Sequence, residues 1–147
     1  MYLGKSGYIE SMKEIMTTVE TVKDGVSSIS EIEIMGDPVV SVLAFKESKT
    51  CRKLKIFKVG DAMANRGWTF NRCQKPNCIH YCFTIANCKK ADKFVQDLKD
   101  SVKEVVQNPD SFPKGVGAMY GATISIPSEG FKNDILSTYM DVVYNVY

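Results

Sequence analysis

Apolar side chains at Ile9, Met12, Ile15, Met16, Val19 and Val22 recur every three or four positions, which predicts an amphipathic helix from about Gly7 to Val26. Its sticky stripe must pack on something. Between Glu31 and Met35 the period changes to two, with Ile32 and Ile34 alternating against acidic neighbours as in a half-buried strand. Gly36-Asp37-Pro38 breaks that strand, and the β-branched run Val39 to Phe45 predicts a second one beyond a short corner. Lys46 to Lys58 then gives a long charged turn feeding a short helix that stops at Gly67. A polar link, Thr69 to Asn77, precedes a strand from Ile79 to Ile85. In that strand Ile79, Tyr81, Phe83 and Ile85 fall on one face, and Cys78, His80, Cys82 and Thr84 on the other. Ala91 to Asn108 lines up Phe94, Val95, Leu98, Val102, Val105 and Val106 and ends before Pro109, a well-bounded amphipathic helix. Asp110 to Gly130 is looser, and Phe131 to Tyr147 repeats Ile135, Leu136, Tyr139, Val142, Val143 and Val146 as a final helix. The order α, β, β, α, β, α, α, without internal repeats, predicts an α+β fold: a small, mostly antiparallel sheet covered by helices.

Length and composition narrow this picture to one domain spanning residues 1–147. A chain of 147 residues with 44% apolar side chains can bury about 70% of the surface it exposes when unfolded, enough for a core without staples. Nineteen Lys and Arg against seventeen Asp and Glu leave +2, too little for a duplex nucleic-acid footprint, so no nucleic-acid partner is expected. No apolar stretch approaches the length of a membrane helix, and Met1 to Gly7 lacks the pattern of a secretory leader. Five cysteines, an odd number in a chain able to fold unaided, fit a reducing compartment, and the thiols are expected to be free. The expected location is therefore intracellular.

Four features could carry chemistry. Six basic residues between Lys46 and Lys58 face the single acid Glu47, which describes a solvated loop, or else a patch contacting phosphate or a membrane surface. Cys73, Cys78, His80, Cys82 and Cys88 crowd together, with ligand types that zinc favours. Their spacing lacks the CxxC knuckles of structural sites, and a buried strand also takes cysteine as a small hydrophobe, so no metal ligand is assigned. His80 is the only histidine and the chain has no GxSxG elbow, so a hydrogen-bonded core histidine is preferred over a catalytic one. Finally, KGVGAMYG carries Gly115, Gly117 and Gly121 without the spacing of a dinucleotide cradle. These glycines fit a loop that approaches another backbone closely. Tyr120 among them either anchors that loop or offers its hydroxyl to a ligand.

Taken in order, GYIES (7–11), MGDPVVSVLAF (35–45), Gly67-Trp68, QKPNCIHYCFT (74–84), DLKDSV (97–102), Asn108-Pro109 and GAMYG (117–121) resemble the carboxyl-terminal part of the sphingosine-1-phosphate lyase family. The resemblance runs from about Gly4 to Tyr147. It implies the small C-terminal domain of an aspartate-aminotransferase-fold enzyme, akin to the group II decarboxylases, which closes over pyridoxal 5'-phosphate held by a large domain. It also implies cleavage of a phosphorylated sphingoid base to a fatty aldehyde and phosphoethanolamine, with the cofactor as electron sink. The family's Schiff-base lysine follows a histidine, whereas His80 is followed by Tyr81. The resemblance therefore implies a fragment, catalytically silent alone, whose partners are the large domain or a full-length homologue. Homodimerisation in the intact enzyme and a site at the cytosolic face of the endoplasmic reticulum are implied likewise. Tyr120 matches the tyrosine of the family's (M/I)YG motif, which implies substrate binding; His80 matches a histidine that looks structural there. The stretch Glu47 to Lys55 is longer and more basic than the family pattern, and Thr69-Phe70 replaces Asn-Leu. A cofactor-free interaction or binding module derived from that domain is the alternative.

Overall fold

Two strands of alternating character, β2 (Val42–Glu47) and β4 (Cys78–Cys82), form the centre of a four-stranded sheet whose edges are the three-residue strands β1 (Ile32–Ile34) and β3 (Asn71–Cys73). The spatial order is β1-β2-β4-β3, and each neighbouring pair is antiparallel. The computed structural model describes residues 3–51, 54–112, 115–118 and 129–144. Register decides the faces. Leu43 lies opposite Tyr81 and Phe45 opposite Ile79, and Leu43, Phe45 and Ile79 are fully buried on the helix-covered side. The intervening row, Asn71, His80 and Ala44, belongs to the opposite face.

Helices α1 (Gly4–Ser27), α2 (Ile56–Asn65) and α3 (Ala91–Gln107) cover the core face. Each contributes residues at helical spacing: Val19, Val22 and Val26 from α1, Val59, Ala62 and Met63 from α2, and Phe94, Leu98, Val102 and Val105 from α3. Gly67, just past the α2 cap at φ +89°, takes the left-handed conformation expected of a terminating glycine. The centre of the core is aromatic. The Phe94 ring centroid lies 5.1 Å from those of Trp68, Tyr81 and Phe83, with edge-on or tilted geometry throughout.

The α+β class, the antiparallel sheet and the helices predicted from periodicity are all present. Three boundaries differ, each for a physical reason. The predicted polar link contains β3, an edge strand whose residues Asn71, Arg72 and Cys73 lack apolar alternation and are held by pairing with β4. Strand β2 begins at Val42 rather than Val39, leaving Val39 and Val40 exposed. Strand β4 ends at Cys82 because the chain turns there: Asn87 Oδ1 accepts the Thr84 N–H at 2.8 Å, which turns Ile85 out to solvent, whereas Phe83 remains buried through its N–H bond to Ser41 O at 2.7 Å. The final helix, α4 (Glu129–Tyr144), forms over the described part of the predicted span, with Val146 outside the described residues, but its apolar residues Ile135, Leu136, Tyr139, Val142 and Val143 are exposed.

Candidate functional site

The glycine-bearing loop sits on α2. Asp61, buried on the inward side of that helix, takes Arg72 Nη2 at 2.6 Å on Oδ1, and the Gly117 N–H at 2.9 Å on Oδ2. A Cβ on Gly117 would meet Asp61 Oδ2 at 2.6 Å and the Phe57 carbonyl oxygen at 2.8 Å, closer than any real side chain tolerates, and a Cβ on Gly115 would collide with the same carboxylate. Both glycines are therefore required by close approach: Gly117 lies against the Phe57 backbone, as expected of the loop glycines, Gly115 lies against a side chain instead, and Gly121 is outside the described residues. The ion pair is nearly dry, with Arg72 and Asp61 side chains 10% and 7% exposed. In such surroundings a charged pair holds its geometry tightly, because either charge left alone would be strongly destabilising.

This anchor was invisible to motif reading, although it left a trace: an acid at position 61, between Gly60 and Ala62, as the single acid of a mostly apolar helix. Nothing in the sequence marked Arg72 as its partner, since they come together only when β3 pairs with β4 beside α2. Tyr120, the predicted substrate-binding residue, lies outside the described residues, two positions beyond the anchored turn that ends at Ala118.

The other candidates are dispersed. Lys46 pairs with Glu33 at 2.8 Å, and that hydrogen bond holds the Glu33 carboxyl below its usual range. Lys58 donates to the Pro109 carbonyl. Part of the basic stretch is thus spent on structure; Arg52 and Lys53 lie outside the described residues. Among the cysteines, Cys78 and Cys88 are buried and Cys73 and Cys82 exposed. His80 is half-buried on the outer sheet face, with Nδ1 3.5 Å from Cys73 Sγ. It therefore stands outside the core in which it was expected, because β4 alternation gives positions 79 and 81 to the helices. Among the described residues no group of three or more potential ligands is placed to hold a metal ion.

The lysines bear on the expected cofactor. Every described lysine whose side chain is placed is exposed or only partly buried, so none is set in the dry pocket that an imine-forming amine needs to lose its proton. The described residues do not fit covalent attachment of pyridoxal phosphate. No described helix is long and apolar enough to cross a membrane.

No protein-family model matches the chain. It is 38% identical over 140 residues to the sphingosine-1-phosphate lyase of Dictyostelium discoideum, covering 95% of this chain and 25% of that protein. It is 35% identical over 144 residues to that of Arabidopsis thaliana, covering 98% and 26%. Among solved structures, the sphingosine-1-phosphate lyase of Burkholderia pseudomallei K96243 superimposes with a TM-score of 0.65 at 27% identity, over 87% of this chain and 27% of the other. The chain spans about a quarter of the length of the curated relatives it matches. Over that quarter, it is similar in sequence and in fold to the sphingosine-1-phosphate lyases.

Proposed function

We propose that this chain is the small C-terminal domain of a pyridoxal-phosphate-dependent carbon–carbon lyase that cleaves phosphorylated long-chain bases to a fatty aldehyde and phosphoethanolamine. The observation that carries this reading is the match of nearly the whole chain, in sequence and in fold, to one quarter of such lyases. When bound by a large domain, the cofactor supplies the electron sink for bond cleavage. This chain's part is to close over that pocket and to present Tyr120 as a hydrogen-bond donor to the substrate. The Asp61 carboxylate, holding Gly117, supports such a role by fixing where the loop leaves α2.

On this reading the lysine comes from a large domain, in the same polypeptide or another, and the intact enzyme is a homodimer. It works inside the cell, in the cytosol or at the cytosolic face of the endoplasmic reticulum. The lack of a buried lysine among the described residues equally suits a cofactor-free interaction module. The test is to combine this chain with a lyase large domain and follow aldehyde release from a phosphorylated sphingoid base. Tyr120→Phe is expected to lower kcat/KM about tenfold or more, equal to about 1.4 kcal/mol of transition-state binding. Unchanged kinetics would remove Tyr120 from the site, and cleavage by this chain without a large domain would overturn the domain assignment itself.

A further inference from the structure

The outer sheet face gathers sulfur and imidazole at one place. Cys73 on β3 lies directly opposite Cys78 on β4. Facing residues of antiparallel strands have Cα atoms about 4.5 or 5.5 Å apart, depending on the pair type, and both spacings fall in the range of about 4.4–6.8 Å that a disulfide spans. Cys73 is exposed, whereas Cys78 is buried yet outside the core cluster. His80, two residues beyond Cys78 on the same face, brings Nδ1 to 3.5 Å from Cys73 Sγ. Burial first, and the neighbouring Cys73 second, push the Cys78 thiol up, as expected of two adjacent sulfurs of which one is sheltered. The remaining cysteines are differently placed. Cys88 Sγ donates to the Ile85 carbonyl at 3.3 Å, and Cys82 Sγ lies 3.9 Å from Ser41 Oγ.

We propose that Cys73 and Cys78 form a redox-modification site that takes small hydroperoxides and closes a cross-strand disulfide. The exposed Cys73 gives its proton to His80, and its sulfur attacks the terminal peroxide oxygen. The O–O bond breaks, Cys73 is oxidised by two electrons to the sulfenic acid, and the peroxide leaves as its alcohol, or as water from hydrogen peroxide, carrying that proton. Cys78 sulfur then attacks Cys73 sulfur; the S–S bond forms, the S–OH bond breaks, and hydroxide leaves with the Cys78 proton as water. Two thiols and one hydroperoxide thus give one disulfide, one alcohol and one water, and a reducing thiol reverses the change.

The experiment treats the folded full chain with hydrogen peroxide, blocks remaining thiols with an alkylating reagent, and measures intact and peptide masses. The expected result is two unblocked positions out of five cysteines, a loss of two hydrogen atoms, and a bridge between Cys73 and Cys78 that dithiothreitol removes. In Cys78→Ser the bridge is lost and dimedone traps the sulfenic acid on Cys73; in Cys73→Ser neither product forms. Full alkylation of Cys73 and Cys78 after peroxide, or loss of Cys51 and Cys82 at the same rate as Cys73, overturns the proposal.

Discussion

Asp97 shows how a single carboxylate can organise its surroundings. Trp68 Nε1 donates to its Oδ2 at 2.6 Å and Lys93 Nζ to the same oxygen at 2.5 Å, while the Lys93 ammonium lies 5.8 Å from the indole centroid. Burial pushes the Asp97 carboxyl up, but the Lys93 and Trp68 hydrogen bonds and the Lys93 and Arg66 charges outweigh it, so the group ends below the usual range. A depressed folded value contributes stability above the unfolded pKa of about 3.9 and loses it as pH falls through the folded value. Asp97→Ala is expected to cost about 1.5–3 kcal/mol at neutral pH, and the difference from wild type should shrink in acid below the folded value. Urea unfolding followed through Trp68, the sole tryptophan, measures both. At the loop anchor, Gly117→Ala forces a methyl into the Asp61 carboxylate and is expected to destabilise by about 1–3 kcal/mol, with faster hydrogen exchange at the residue 117 amide. Asp61→Ala strands a buried guanidinium and should cost more, about 3–5 kcal/mol in the same urea titration.

Helices α1 and α3 were legible because each places an apolar residue every third or fourth position against the sheet, and the strand pair β1–β2 because Ile32 and Ile34 alternate with acids. Strand β3 was not legible, since nothing in Asn71-Arg72-Cys73 signals extension; only its ladder to β4 makes it a strand. Periodicity also overstates burial. Ile9 and Met12 share the α1 stripe with Ile15 and Val19, but the sheet and α3 cover only the later turns, leaving Ile9 48% and Met12 45% exposed. The Asp61–Arg72 pair escaped sequence reading for a similar reason: helical and strand periods describe one element at a time, and this contact joins two. Several elements converge on Phe94, with Phe45, Trp68, Phe70, Tyr81 and Phe83 around one ring. Phe94→Ala is expected to cost about 3–5 kcal/mol by denaturant titration, more than truncation of any residue on the exposed face of α4.

At the scale of the molecule, two helices carry runs of uncovered apolar side chains among the described residues: the first turns of α1, with Tyr8, Ile9 and Met12, and the length of α4. A polypeptide exposing such surfaces tends to associate. Sedimentation of the purified chain is expected to show concentration-dependent self-association, and adding a lyase large domain should suppress it. A monodisperse monomer over the whole concentration range would instead favour the interaction-module reading. The carboxylate of Asp61 has a last consequence for relatives and for engineers. It occupies the volume that a side chain at 115 or 117 would fill, from a position 54 and 56 residues earlier in the chain. A graft of the GVGAMYG segment into another scaffold would thus need its host helix transplanted with it. Lengthening that helix's acid by one methylene, as in Asp61→Glu, would displace the turn at Gly115 and Gly117 even with every loop residue preserved.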